Sequence, residues 1–76
     1  MDELLAWIAR GLVDAPDEVR VERIDEGDLV VLRLHVAPDD VGKVIGRQGR
    51  VARALRTVVR SGSARGDLRL VLEIAD

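Results

Sequence analysis

The chain has 76 residues, and we expect residues 1–76 to form one domain, which at this length buries only about 60% of the surface of its unfolded form. It contains no cysteine, which excludes a disulfide framework and thiolate metal sites and fits a reducing compartment. The net charge of −2 conceals two opposite parts: residues 1–40 hold eleven acids and four bases, whereas residues 41–66 hold seven bases and no acid.

The first segment predicts an amphipathic helix. Its apolar residues recur at helical spacing, at Leu4, Leu5, Ile8 and Leu12. Asp2 and Glu3 suit a helix N-terminus, and Pro16 ends the pattern. Two opening acids and Arg10 make the segment a poor signal peptide, and no stretch approaches a membrane span. We therefore expect a cytoplasmic protein with no membrane partner.

Three segments predict strands. "EVRVERI" and "LVVLRLHV" flank "DEGD", in which Gly27 can take the positive φ of a tight hairpin. The last segment, "LRLVLEI" from Leu68 to Ile74, alternates apolar and polar residues in the same way as the second. Each of these two strands should therefore bury one face and expose the other.

Two helices are predicted between the second and third strands. "APDD" begins a short one, with Pro38 before an Asp39/Asp40 turn, and Gly46 ends it. A longer helix runs from Arg50 to about Arg60, where "SGSARGD" stops it. The order helix, strand, strand, helix, helix, strand predicts an α+β fold, with a three-stranded mixed sheet and three helices on one face.

The stretch "GKVIGRQGR" combines glycine and positive charge at the junction of these two helices. The turn Gly46–Gly49 leaves backbone approachable from outside and feeds the N-terminus of the longer helix, which favours an anion. Arg47 and Arg50 add charge, and Gln48 adds a neutral donor. A phosphate backbone fits such a turn. The residues alone leave a bare helix corner with solvated arginines equally open.

"VIGRQG" between two helices resembles the GXXG signature of a type II K-homology (KH) domain. The whole chain, including "LVDAPDEV" and "VAPDDVGKVIGRQGRVARALRTVV", is similar to the KhpA family of stand-alone bacterial KH-domain RNA-binding proteins. One departure is Ala52, which stands where the broad KH pattern has a large apolar residue.

The resemblance implies binding of single-stranded RNA, with the GXXG turn clamping the backbone of about four nucleotides beside a shallow groove. Carried onto this chain, the backbone-binding residues are Gly46, Arg47, Gln48 and Gly49. Arg50, Arg53 and Lys43 are expected to contribute charge, although Lys43 could equally face water. Val41, Val44 and Ile45 are expected in the groove wall, with one sheet edge.

The resemblance also implies a homodimer, or a heterodimer with a larger KH-containing RNA-binding protein. The longer helix carries more apolar surface than one sheet contact needs, and Leu55, Val58 and Val59 are its predicted dimer residues. The alternative is that this helix lies sunk between the sheet and the first helix. Arg56 and Arg60 continue a basic stripe along it, with a solvated face as the plainer interpretation.

The remaining residues argue against an enzyme. His35 has no second histidine or cysteine for a metal site, and no hydroxyl lies in a recognisable triad. No phosphate-binding loop ends in Gly-Lys-Ser/Thr, so neither metal nor cofactor is expected. Trp7, the only aromatic, lies on the first helix, remote from the turn, and is expected to have a packing role, which leaves little base stacking.

Two hypotheses follow. The first is an RNA-binding module that acts as an RNA chaperone or post-transcriptional regulator. The second is a protein-interaction module in which the KH fold dimerises or docks on a partner, with weak or no RNA binding.

Overall fold

The elements follow in the predicted order in a computed structural model that describes residues 1–63 and 69–75. The helices are α1 (Asp2–Leu12), α2 (Val41–Ile45) and α3 (Arg50–Ser63), and the strands are β1 (Arg20–Glu26), β2 (Leu29–His35) and β3 (Arg69–Ile74). Single 3₁₀ turns connect several of them, at Pro16–Glu18, Pro38–Asp40 and Arg47–Gly49. The predicted α+β class is confirmed.

The three strands form one mixed sheet in the order β1-β2-β3. β1 pairs antiparallel with β2, and β2 pairs parallel with β3, so the helical segment forms the crossover. The hairpin is tighter than "DEGD" predicted, because Glu26 already pairs with Leu29. Gly27 takes φ 80°, which lets a two-residue connection reverse the chain. β1 therefore ends two residues later than predicted, and it also begins two residues later because Glu18 belongs to the preceding 3₁₀ turn.

The central strand has the alternation that the sequence predicts. Val30, Leu32 and Leu34 have no exposed surface, and the residues between them are partly exposed on the opposite face. The buried face packs against side chains of all three helices and of β3, including Leu5, Ala9, Val44, Leu55, Val59 and Leu72. Each large aliphatic side chain buried there contributes roughly 2 kcal/mol.

α3 is longer than predicted, since it continues past Arg60 to Ser63. Gly62 lies in close contact with neighbouring elements, because a Cβ there would fall 2.7 Å from Cε of Met1 and 3.1 Å from Cδ1 of Leu70. The absence of a side chain thus lets the last turn pack. Leu68, the predicted first residue of β3, and most of the segment predicted to end α3 lie outside the described residues.

The prediction that Trp7 has a packing role is wrong. Leu5, Ala6 and Ala9 occupy the buried face of α1, and at about 100° per residue Trp7 lies well away from Leu5 around the helix. Its side chain is 70% exposed, next to the exposed Leu4.

Candidate nucleic-acid interface

Gly46 ends α2 in a conformation that only glycine adopts readily, with φ 77° and ψ 171°. Its N–H donates to the carbonyl of Gly42 at 2.8 Å, closing the last turn of the helix. A Cβ on Gly46 would lie 2.5 Å from Cγ2 of Val51 in the first turn of α3. Glycine is therefore required here both by the backbone and by the contact between the two helices.

The rest of the turn folds back as one 3₁₀ turn. The N–H of Gly49 donates to the carbonyl of Gly46 at 3.1 Å, while Gln48 takes φ 58° and Gly49 takes φ 74°. A Cβ on Gly49 would meet no atom within 4 Å, so the outer side of the turn is open. The bonds of the described turn are donated by Gly46, Gly49 and Arg50, and the N–H groups of Arg47 and Gln48 are not among them.

Positive charge surrounds this open turn. Arg47, Gln48 and Arg50 are exposed, and within the described part of the chain neither arginine forms an ion pair. The first turn of α3 carries no acid, so the partial positive charge of the helix N-terminus is not neutralised there. The turn combines free cations, approachable backbone and a helix N-terminus, which together favour an anion.

A basic cleft lies along one flank of α3. Arg56 and Arg60 line it on the helix side, and Arg69, Leu70, Val71 and Leu72 of the edge strand β3 line the other side. Its volume is about 330 Å³. Arg53 is exposed on the same flank by helical spacing. The expected groove wall at a sheet edge stays a prediction.

Ile45 and Val44 differ in exposure although they are neighbours. Ile45 is 38% exposed next to the turn, whereas Val44 has no exposed surface and lies in the core. The expectation that Val44 contacts a ligand therefore needs correction, because this side chain lies in the buried core cluster. Val44 anchors α2 in the core, and Ile45 presents apolar surface beside the turn.

The ammonium of Lys43 is held by two carboxylates. Its Nζ donates to Oδ2 of Asp14 at 2.8 Å and to Oδ1 of Asp40 at 3.3 Å. Hydrogen bonds to Asp14 and then to Asp40 raise the pKa of Lys43 above its ordinary value. Sequence reasoning missed this contact, since only the Asp40–Lys43 spacing of three residues hinted at it.

Asp40 forms the buried part of the same network. Its side chain accepts hydrogen bonds from the backbone N–H groups of Ala15, at 3.0 Å, and Asp14, at 3.3 Å. Burial opposes its ionisation, but these bonds and Lys43 together hold the pKa of Asp40 below its ordinary value. Asp40 thus ties the segment after α1 to the start of α2 instead of capping α2, as its position suggested.

A family model described as the KhpA/KhpB KH domain matches residues 2–74. The chain belongs to the KhpA/KhpB family of KH domains. The resemblance to a KH domain is thereby confirmed at the level of the family.

Relatives in this family are similar over their full length. Proteins named RNA-binding protein KhpA from Treponema pallidum, Clostridium acetobutylicum and Halalkalibacterium halodurans are 51%, 49% and 49% identical to this chain. The alignments cover 99%, 97% and 100% of this chain and 94%, 99% and 100% of those relatives. No solved structure matches significantly.

The opposite flank of α3 is apolar. Val51, Ala54 and Val58 line a groove of about 320 Å³ between α3 and α1, where Ile8 and Leu12 form the other wall. Arg50 also lines this groove. Leu55 lies only at its floor, 3% exposed, and Val59 is 1% exposed in the core. The predicted dimer residues need correction for Leu55 and Val59, which, with Ala52, occupy the face of α3 that packs on the sheet.

The only histidine of the sequence lies in a group of charged side chains on the sheet. His35 Nε2 lies 2.9 Å from Oε1 of Glu22 on the open face of the sheet, and Arg33 pairs there with Glu22 and Glu73. Across the described residues no three His, Cys, Asp or Glu side chains cluster as metal ligands. None of the described helices has the length and apolar character to span a bilayer.

Proposed function

We propose that the protein binds single-stranded RNA and holds its phosphate backbone at the turn Gly46–Gly49. The observation that carries this proposal is the open turn itself, in which approachable backbone, two unpaired arginines and a helix N-terminus lie together. Membership of a family whose relatives are named RNA-binding proteins supports it.

In this mechanism a phosphate approaches the turn closely because no Cβ stands over Gly49. Arg47 and Arg50 pair with phosphate oxygens, and charge-assisted bonds of this kind are stronger than neutral ones. Gln48 adds a neutral donor. Such contacts fix the strand without reading its sequence.

The bases then lie beside the turn against Ile45 and in the cleft between α3 and the edge of β3. The RNA strand then runs along this flank past three arginines, Arg53, Arg56 and Arg60, of which Arg53 is nearest the turn in sequence. Trp7 is absent from the residues that line the cleft, so base stacking on an aromatic contributes little. Affinity for one domain is therefore modest, and no chemical step is involved.

A dimer would raise this affinity through effective concentration. The groove lined by Val51, Ala54 and Val58 supports a self-associating surface, because it lies on the flank of α3 opposite the cleft of Arg56 and Arg60 and leaves that cleft open. Arg50 lies where this groove meets the turn. A homodimer, or a heterodimer with a larger KH-containing RNA-binding protein, fits this surface. With such a partner we propose that the protein acts in the cytoplasm as an RNA chaperone or post-transcriptional regulator.

The test is fluorescence anisotropy of a labelled single-stranded RNA with the parent and with Arg47→Asp/Gln48→Asp. Both side chains are exposed, so the variant should fold and lose binding. Arg20→Asp reverses an exposed arginine on β1 and serves as the control. Equal binding by parent and variant would overturn the assignment to the turn. Absence of binding by the parent would favour the interaction module.

A further inference from the structure

The position of the Lys43 ammonium is set by acids outside the helix that carries it. Lys43 lies three residues before Gly46, in the last turn of α2, so a free ammonium there would stand beside the turn. Instead its Nζ contacts Asp14, from the segment after α1, and Asp40. Arg47 and Arg50 have no such partner among the described residues. Lys43 is thus the one cation near the described turn whose charge is held.

The two acids hold Lys43 unequally. Asp14 makes the shorter contact, 2.8 Å against 3.3 Å, and its side chain is 81% exposed. Asp40 is buried, and its oxygens also accept two backbone N–H groups, so it is less available to the ammonium. The side chain of Asp14 makes no other described hydrogen bond, and its backbone N–H, not its side chain, bonds to Asp40.

We propose that Asp14 restrains the affinity of the turn for RNA by holding the Lys43 ammonium away from the bound phosphates. This inference rests on the proposed function of the turn. Asp14 acts as a positioning residue, since it works through Lys43 and touches no RNA itself. An exposed ion pair is weak, worth about 1 kcal/mol or less, so its removal leaves the fold intact.

A double-mutant cycle tests the coupling, with Asp14→Ala, Lys43→Gln and the double variant titrated against a labelled single-stranded RNA. Asp14→Ala should tighten binding about threefold at low salt and steepen the salt dependence by about 0.7, the value of one additional phosphate contact on a single strand. Lys43→Gln alone should change affinity less than about twofold, because the charge it removes is already paired. When Lys43 is already replaced by Gln, Asp14→Ala should change RNA affinity only by the general effect of removing one nearby negative charge.

Asp17→Ala measures that general effect of charge, because Asp17 is exposed on the same segment and forms no described ion pair. Equal tightening by Asp14→Ala in both backgrounds, or by Asp17→Ala to the same extent, would overturn the inference and leave only long-range electrostatics. The salt slope is informative here because a purely structural role of Asp14 would not change it.

The failure of this inference is distinguishable from the failure of the proposed function. If the parent binds RNA and Arg47→Asp/Gln48→Asp abolishes binding while the cycle shows no coupling, only the role of Asp14 is refuted. If binding is insensitive to the turn variant, the function proposed for the turn fails first.

Discussion

Gly46 and Val51 approach so closely that a Cβ on Gly46 would lie 2.5 Å from Cγ2 of Val51 and 2.9 Å from its backbone nitrogen. This contact brings the end of α2 against the first turn of α3. It fixes the angle at which the turn between them presents Arg47 and Gln48. The first glycine of the turn is therefore structural, whereas the second, Gly49, faces open space.

Gly46→Ala should accordingly cost more stability than Gly49→Ala. At Gly46 the alanine meets both a disfavoured φ and a steric conflict with backbone, for roughly 3 kcal/mol in total. At Gly49 only the φ of 74° is unfavourable, for about 1 kcal/mol. Thermal unfolding should then show a loss of more than about 10 °C for the first and about 5 °C for the second. Equal losses would contradict the structural role of Gly46.

Arg50→Ala should weaken RNA binding and lower the steepness of its salt dependence by about 0.7, since one phosphate contact is lost. Arg53→Ala, one turn further along α3, should act in the same direction. Arg10→Ala removes an exposed arginine from α1 and is the matched control. Titrations at several salt concentrations measure all three slopes. If the affinity of Arg50→Ala depended on salt as steeply as that of the parent, Arg50 would not contact phosphate.

The buried carboxylate of Asp40 should make stability depend on pH in acid. Because its pKa in the folded protein lies below the ordinary value of about 3.9, its contribution is fully present above that pH. The contribution is lost as the pH falls through the folded pKa. Asp40→Asn should therefore be less stable than the parent at neutral pH. The difference in stability between the two proteins should shrink as the pH drops below about 4, because Asp40 of the parent becomes protonated.

Melting temperatures of the parent and Asp40→Asn between neutral pH and about pH 2 check this expectation. Asp39→Asn, at the exposed neighbouring position, is the control and should follow the parent throughout. A constant difference between Asp40→Asn and the parent over the whole range would mean that ionisation of Asp40 does not stabilise the fold.

Val58→Asp should dissociate any dimer, since Val58 lies in the apolar groove and is only partly buried in the subunit. Thr57→Asp places the same charge on the neighbouring exposed position and should leave association unchanged. Sedimentation velocity measures the oligomeric state of each. Val59→Asp is uninformative here, because Val59 is buried in the core and the variant would unfold. A Val58→Asp protein that associates like the parent would place the interface elsewhere.

Local pattern predicted much of the fold. The alternation of Val30, Leu32 and Leu34 specified the buried face of β2, and the two glycines of the turn specified the junction of α2 and α3. These features were accessible because each depends on residues close in sequence. The end of β1 differs from the prediction because the hairpin closes at Gly27 and Asp28, and strand pairing determines that choice.

The features that sequence reasoning missed depend on contacts between distant residues. Lys43 meets Asp14 across 29 positions, and no local pattern indicates that pair. The exposure of Trp7 and the burial of Val59 follow from which side of each helix faces the sheet. Both helices carry apolar residues on more than one side, so periodicity alone did not decide the orientation.

The most direct test of the central claim is an NMR titration of the ¹⁵N-labelled protein with a short single-stranded RNA. The account predicts that the largest chemical-shift changes fall on the amides of Gly46–Arg50, with smaller changes along the basic flank of α3. Shifts concentrated on α1 or on the open face of the sheet, with the turn unaffected, would contradict it.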